Sequence, residues 1–179
     1  MDAERKKKIR DEVISWAKAI VIAFIAALLL NRFVILNANI PSGSMEPTIM
    51  TGDRVLGWRL SYLFSEPERG DVIIFRYPDD ESKEFIKRVI GLPGETVTIQ
   101  DGKVYINDSD TPLAEEYLQV VPVGSFGPYT VPEDSYFVLG DNRNNSKDSR
   151  YWNNTFVPRK NVNAKALFGY FPRIYPLWK

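Results

Sequence analysis

The chain has 179 residues, with 23 Lys and Arg against 23 Asp and Glu, and 44% of its residues are hydrophobic. That suffices for one packed domain plus an anchor, and the balanced charge gives no reason to expect nucleic acid as a partner. With no His and no Cys, a Ser-His-Asp triad, a thiol nucleophile, a disulfide framework and every imidazole or thiolate metal site are excluded, so acid–base chemistry must use carboxylates, Lys or Tyr. No metal or other cofactor is expected.

The first twelve residues are charged, with Arg5, Lys6, Lys7, Lys8 and Arg10 clustered. From Ala19 to Leu30 the chain reads AIVIAFIAALLL. As a helix that run spans only about 18 Å, but it extends naturally over Val13–Leu36. Within the wider span only Ser15, Lys18, Asn31 and Arg32 are polar, and long basic side chains near the ends can reach the headgroups. Trp16 suits a membrane interface. Residues 13–36 are therefore expected to be a transmembrane anchor, with a cleaved signal peptide and a buried core helix as the alternatives. Basic residues precede the span, so the positive-inside rule puts residues 1–12 in the cytoplasm and residues 37–179 outside.

Beyond Leu36 the patterning is that of β structure. Short runs rich in β-branched and aromatic residues recur at Arg54–Trp58, Asp71–Tyr77, Glu84–Ile90, Thr96–Gln100, Lys103–Ile106 and Tyr136–Leu139. Turn signals separate them at Thr51-Gly52-Asp53, Arg69-Gly70-Asp71, Leu92-Pro93-Gly94 and Asp101-Gly102. The last predicts a hairpin closed by a primed turn. The expected fold is mainly β, an antiparallel β-sheet domain behind one N-terminal transmembrane helix.

Three segments carry candidate chemistry, and each has a bland alternative. In Pro41-Ser42-Gly43-Ser44-Met45-Glu46-Pro47-Thr48 one Ser is a nucleophile beside a glycine that admits a substrate backbone, or the stretch is a plain turn. In Phe85-Ile86-Lys87-Arg88-Val89-Ile90 alternation puts Lys87 on one face with Phe85 and Val89. Burial there would lower its pKa and make a neutral amine available; otherwise it is an edge lysine whose ammonium reaches water. The segment Gly140-Asp141-Asn142-Arg143-Asn144-Asn145-Ser146-Lys147-Asp148-Ser149-Arg150 either organises a site or is a solvated loop.

Taken together and in order, these segments, with Arg69-Gly70-Asp71-Val72-Ile73-Ile74-Phe75 between the first two, resemble the type I signal peptidases. These are membrane serine proteases with a Ser-Lys dyad. The resemblance runs from the anchor to about Pro158. It implies that Ser44 is the nucleophile, Lys87 the general base, Ser42 an oxyanion donor acting with the Ser44 N–H, and Ser146 the hydroxyl that orients the lysine. It implies that Arg88, Asp141, Arg143, Asp148 and Arg150 shape the site through ion pairs. Ile40, Met45, Phe85 and Ile86 are expected to bind substrate. The implied partners are secretory preproteins with small residues at −1 and −3, and the lipid bilayer, with no nucleic acid. The stretch between Gly94 and Gly140 leaves room only for a small cap-like insertion, about residues 97–135, as in short family members. The reading that competes with an enzyme is a membrane-tethered, non-catalytic β domain for adhesion or assembly.

Overall fold

The structure, a computed structural model, describes residues 3–177. Met1 and Asp2 of the basic tail, and Trp178 of the aromatic C-terminal run, lie outside the described residues. The chain divides between Ile35 and Leu36 into a helical unit and a β unit.

Helix α1 (Ala3–Leu29) passes into five residues of π-helix, Leu30–Val34. At 27 residues it spans about 40 Å, more than the ~30 Å thickness of a bilayer's hydrocarbon core. It takes in much of the charged tail because Lys, Arg and Glu are good helix formers. The stretch Lys7–Val34 is long and apolar enough to cross a membrane. The chain turns to strand at Ile35, so Leu36, expected at the end of the anchor, is instead 3% exposed in the core of the β unit.

The β unit contains β1 (Ile35–Asn39), β2 (Arg54–Trp58), β3 (Val72–Tyr77), β4 (Asp80–Gly91), β5 (Thr96–Gln100) and β6 (Lys103–Ile106). It continues with β7 (Phe126–Thr130), β8 (Ser135–Leu139), β9 (Val157–Pro158), β10 (Val162–Phe171) and β11 (Tyr175–Pro176). The main sheet runs β1-β2-β10-β3-β4-β8-β9, with β11 on β10. A second sheet runs β6-β5-β7. The pairings β2–β10, β10–β3, β3–β4 and β4–β8 are antiparallel.

The strand β3 reads VIIFRY and is covered on both faces. Val72 and Ile74 join a core with Leu36, Ile40, Met45, Ile49 and Ile86. Ile73 and Phe75 join another with Val89, Tyr136, Val138 and Trp152. A strand buried on two faces reads as a continuous apolar run rather than an alternation. The second sheet packs Val97, Ile99 and Val104 with Ile90, Phe137 and Leu139 of the main one. Its β5–β6 hairpin pairs Gln100 with Lys103. Asp101 and Gly102 have φ of 48° and 79°, the two left-handed residues that a type I′ turn requires.

Five strands, β1, β7, β9, β10 and β11, were not legible in the sequence; the two longest beyond β1 have different reasons. β10 mixes Val162, Phe168, Tyr170 and Phe171 with Ala, Lys, Asn and a glycine, so its β signal is interrupted, and it is held as a strand by pairing on both sides. β7 contains Gly127 and Pro128 and lies at the edge of its sheet, where a missing donor is tolerated.

Candidate active site

Ser44 lies in a 3₁₀ turn, Gly43–Met45, that follows extended chain at Ser42. The turn is crowded: a Cβ at Gly43 would stand 2.9 Å from the Glu46 carboxylate, so only a glycine fits without shifting that side chain. Glu46 is itself held by the Thr51 hydroxyl, which donates to it at 2.8 Å. Met45 anchors the turn from below.

Lys87 comes from β4, opposite Ile73 of β3. Alternation places it on the face of Phe85, and its Nζ lies 5.4 Å from the Phe85 ring centroid. The side chain crosses to the turn, where Nζ stands 2.8 Å from Ser44 Oγ and donates to the Ile86 carbonyl at 2.9 Å. Lys87 is 4% exposed. Burial lowers its pKa from 10.5 to about 8, opposed by the negative charges of Asp148 and Asp141. The cause follows from charge solvation: a buried ammonium loses water, so the neutral amine gains relative weight.

The loop after β8 is built from paired charges. Arg88, beside the lysine on β4, forks onto Asp141 with Nε and Nη2 at 2.9 and 2.6 Å and donates to the Gly70 carbonyl at 2.8 Å. Arg150 holds Asp148 at 2.8 and 2.9 Å and donates to the Arg143 carbonyl at 2.7 Å. Asp148 in turn accepts the Gly140 N–H at 3.0 Å. These groups are nearly free of solvent, which makes bidentate geometry and complete pairing essential. Arg143 pairs with Glu115 of the β6–β7 connection.

The loop is tied directly to the turn that carries Ser44. Asn142 donates its backbone N–H to the Ser44 carbonyl at 3.0 Å and its side-chain amide to the Gly43 carbonyl at 2.9 Å. Thr48 donates to Asp141 at 2.6 Å. Gly140 packs so tightly that a Cβ there would lie 2.2 Å from Ser146 Oγ and 2.4 Å from the Ser44 carbonyl oxygen.

A cleft of about 470 Å³ opens beside the two catalytic candidates. Its walls include Asn37–Gly43 on one side and Glu84–Ile86 on the other, with Ile74 at its base and Asn145 and Lys147 at the lip. Ser42 is exposed on its wall. Both flanking strands present free edges. β1 is the last strand of its sheet, and β4 is paired by β8 only from Arg88 onward.

The expected site residues are thus brought together, with two differences. Met45 does not line the cleft; it is 0% exposed and fills the core beneath the turn with Ile40 and Ile49, because successive side chains of a 3₁₀ turn point about 120° apart and Met45 is aimed away from Ser44. Ser146 is 8% exposed and its Oγ has no hydrogen-bond partner among the described residues. It does not bond Lys87 in this arrangement, since the amine is directed to Ser44 and to the Ile86 carbonyl. Four residues that support the site were given no role in the sequence: Thr48, Asn142, Glu115 and Tyr117. Thr48 and Asn142 stand inside the quoted segments, whereas Glu115 and Tyr117 lie in a connection with no local signal. Among the described residues no cluster of three or more acidic groups is placed to hold a metal ion.

The sequence matches a family model described as Signal peptidase, peptidase S26, over residues 13–171. It is similar to a protein named Signal peptidase I from Leptolyngbya laminosa, 45% identical over 163 residues covering 87% of this chain and 78% of that one. It is similar to Probable signal peptidase I-2 from Synechocystis sp., 44% identical over 161 residues covering 87% and 72%. Signal peptidase I from Bacillus licheniformis is 36% identical over 180 residues covering 96% of each.

Proposed function

This chain belongs to the peptidase S26 family of signal peptidases, and from that premise we propose that it removes signal peptides from secretory preproteins with Ser44 as nucleophile and Lys87 as general base. The observation that carries the assignment is the 2.8 Å approach of a 4%-exposed lysine to a serine hydroxyl at the edge of an open cleft. A lysine with its pKa lowered to about 8 is neutral in a useful fraction of molecules near neutral pH.

In the proposed reaction, neutral Lys87 Nζ takes the Ser44 proton as Oγ attacks the scissile carbonyl. The oxyanion is received by the Ser44 N–H and the Ser42 hydroxyl. Collapse of the tetrahedral intermediate breaks the C–N bond, and the Lys87 ammonium protonates the leaving amine. Lys87, neutral again, then takes a proton from water as its oxygen attacks the acyl ester; the second tetrahedral intermediate collapses with cleavage of the C–Oγ bond, and the Lys87 ammonium returns the proton to Ser44 Oγ. The ion pairs of Arg88, Asp141, Arg143, Asp148 and Arg150 hold this geometry, and Ser146 stands close enough to Gly140 and Ser44 to be recruited when substrate enters.

The preprotein enters as an added strand between the free edges of β1 and β4. In an extended peptide alternate residues face the same way, so −1 and −3 both face the wall formed by Ile40, Phe85 and Ile86, which is proposed to select small side chains. The apolar helix is proposed as a transmembrane anchor with its basic end in the cytoplasm and residues 37–179 outside. The second sheet and its connections, about residues 97–135, are proposed as the small cap-like insertion.

The test is cleavage of a preprotein by the full chain in detergent. Ser44→Ala and Lys87→Ala should each abolish turnover while the far-ultraviolet circular dichroism stays unchanged. Full activity in either variant refutes the assignment.

A further inference from the structure

The β6–β7 connection has no place in the reaction as described, yet it reaches the underside of the site. Leu113 starts this contact, its N–H bonded to the Val104 carbonyl at 2.7 Å and its side chain packed on the second sheet's core. Two residues later Glu115 presents a carboxylate whose side chain is 7% exposed to the 3%-exposed guanidinium of Arg143. Arg143 Nη1 donates to it at 2.9 Å and Nη2 closes the fork. Tyr117 donates to the same carboxylate at 2.6 Å, and its ring lies 3.9 Å from the guanidinium carbon of Arg88.

One short segment therefore clamps two arginines from two different parts of the site. Arg88 is the neighbour of Lys87 on β4. Arg143 belongs to the loop that carries Ser146, and its Nε donates to the Gly140 carbonyl at 3.2 Å. Gly140 is the residue whose missing Cβ makes room for both Ser146 Oγ and the Ser44 carbonyl. A shift of Arg143 is thus passed through Gly140 to the backbone of the nucleophile turn.

We propose that Glu115 is a positioning residue for the Ser44–Lys87 dyad, acting through Arg143 and supported by Tyr117. The inference rests on the dyad reading above. A buried arginine stripped of its carboxylate must find another acceptor. The carboxylates within its loop, Asp141 and Asp148, are already committed to Arg88 and Arg150. Any rearrangement therefore draws on the pairs that fix the base and the loop.

The experiment compares Glu115→Gln, Glu115→Asp, Arg143→Met and the double variant Glu115→Gln/Arg143→Met, as full chains in detergent with a preprotein bearing alanine at −1 and −3. Rates are expressed per folded molecule. Glu115→Gln is expected to lower kcat roughly 100-fold, the scale of an ångström-sized misplacement of catalytic groups, with KM little changed because the cleft walls are untouched. Glu115→Asp, which keeps the charge on a shorter arm, should recover part of that loss. The double variant should be no slower than Arg143→Met alone, because both changes remove one linkage. Wild-type kcat in Glu115→Gln, no recovery in Glu115→Asp, or multiplied losses in the double variant would each overturn the proposal. If Glu115→Gln does not fold, Arg143→Lys decides: it keeps the charge but not the fork, and wild-type kcat in it overturns the proposal. Ser44→Ala and Lys87→Ala measured alongside separate the two readings. If both are inactive while Glu115→Gln is fully active, the dyad stands and only the positioning role falls.

Discussion

Replacing Lys87 by Met should abolish turnover and, at pH 7, make the protein more stable. Burial lowers the pKa of Lys87 from 10.5 to about 8. A difference of that size corresponds to about 3 kcal/mol, at roughly 1.4 kcal/mol per unit. Below pH 8 the lysine is protonated in both the folded and unfolded chain, and the full penalty for burying the ammonium is present. Between pH 8 and 10.5 the unfolded chain holds a proton that the folded chain has released, so wild-type stability rises with pH through that window. Above it the penalty is gone. Met has a similar volume and no charge, but it forfeits the bonds to Ser44 Oγ and the Ile86 carbonyl, about 1 kcal/mol each. The variant should therefore gain about 1 kcal/mol at pH 7 and lose about 2 kcal/mol above pH 10.5. Urea unfolding of both proteins at a series of pH values measures this directly. A variant less stable than wild type at pH 7, by an amount that does not change with pH, would refute the reasoning and return Lys87 to an ordinary packing role.

Four further outcomes follow from the same geometry. Under the proposed mechanism kcat/KM rises about tenfold per pH unit below the Lys87 pKa of about 8 and levels off above it; a pH-independent rate from 6 to 8 contradicts a lysine base. Gly140→Ala forces a Cβ to within 2.4 Å of the Ser44 carbonyl oxygen, and kcat should drop by about 100-fold; an unaltered kcat would mean that this contact relaxes freely. Arg88→Lys replaces a fork on Asp141 and a bond to Gly70 by a single point of contact, and denaturant unfolding should register a loss of about 3 kcal/mol; a change below about 0.5 kcal/mol argues against a structural ion pair. Gly102→Ala meets a φ of 79° and the Pro122 carbonyl oxygen at 2.0 Å. It should destabilise by more than about 1 kcal/mol, a loss readable from a melting curve.

Which parts of this molecule could be read from its sequence depends on where the determining contacts lie. The β5–β6 hairpin was legible because everything that makes it, two β-branched runs and Asp101-Gly102, is local. The apolar helix was legible because its composition alone decides its length, although its end was not. Ile35 and Leu36 look no different from the residues before them, and only pairing and burial in the β unit turn them into strand. β10 was illegible for the same reason in stronger form. Ala164 and Ala166 are the inward residues of a strand flanked by β2 and β3, and small side chains there carry no β signal of their own.

The site repeats that division at higher stakes. Ser44 and Lys87 each have a bland reading taken singly, because the contact that distinguishes them joins positions 43 residues apart. The order of the four segments compensated for that distance, since each was recognisable as a short string. The partners of the arginines were not so recoverable. Arg88 chooses Asp141 on a loop beyond β8, and Arg143 chooses Glu115 in a connection outside every segment that the resemblance covers in detail. Charge balance shows why such partners must exist: three nearly dry arginines around a lysine base, Arg88 on β4 and Arg143 and Arg150 on the loop, demand a carboxylate each, and Asp141 and Asp148 supply only two. The third had to come from elsewhere in the chain, and the second sheet's connection provides it.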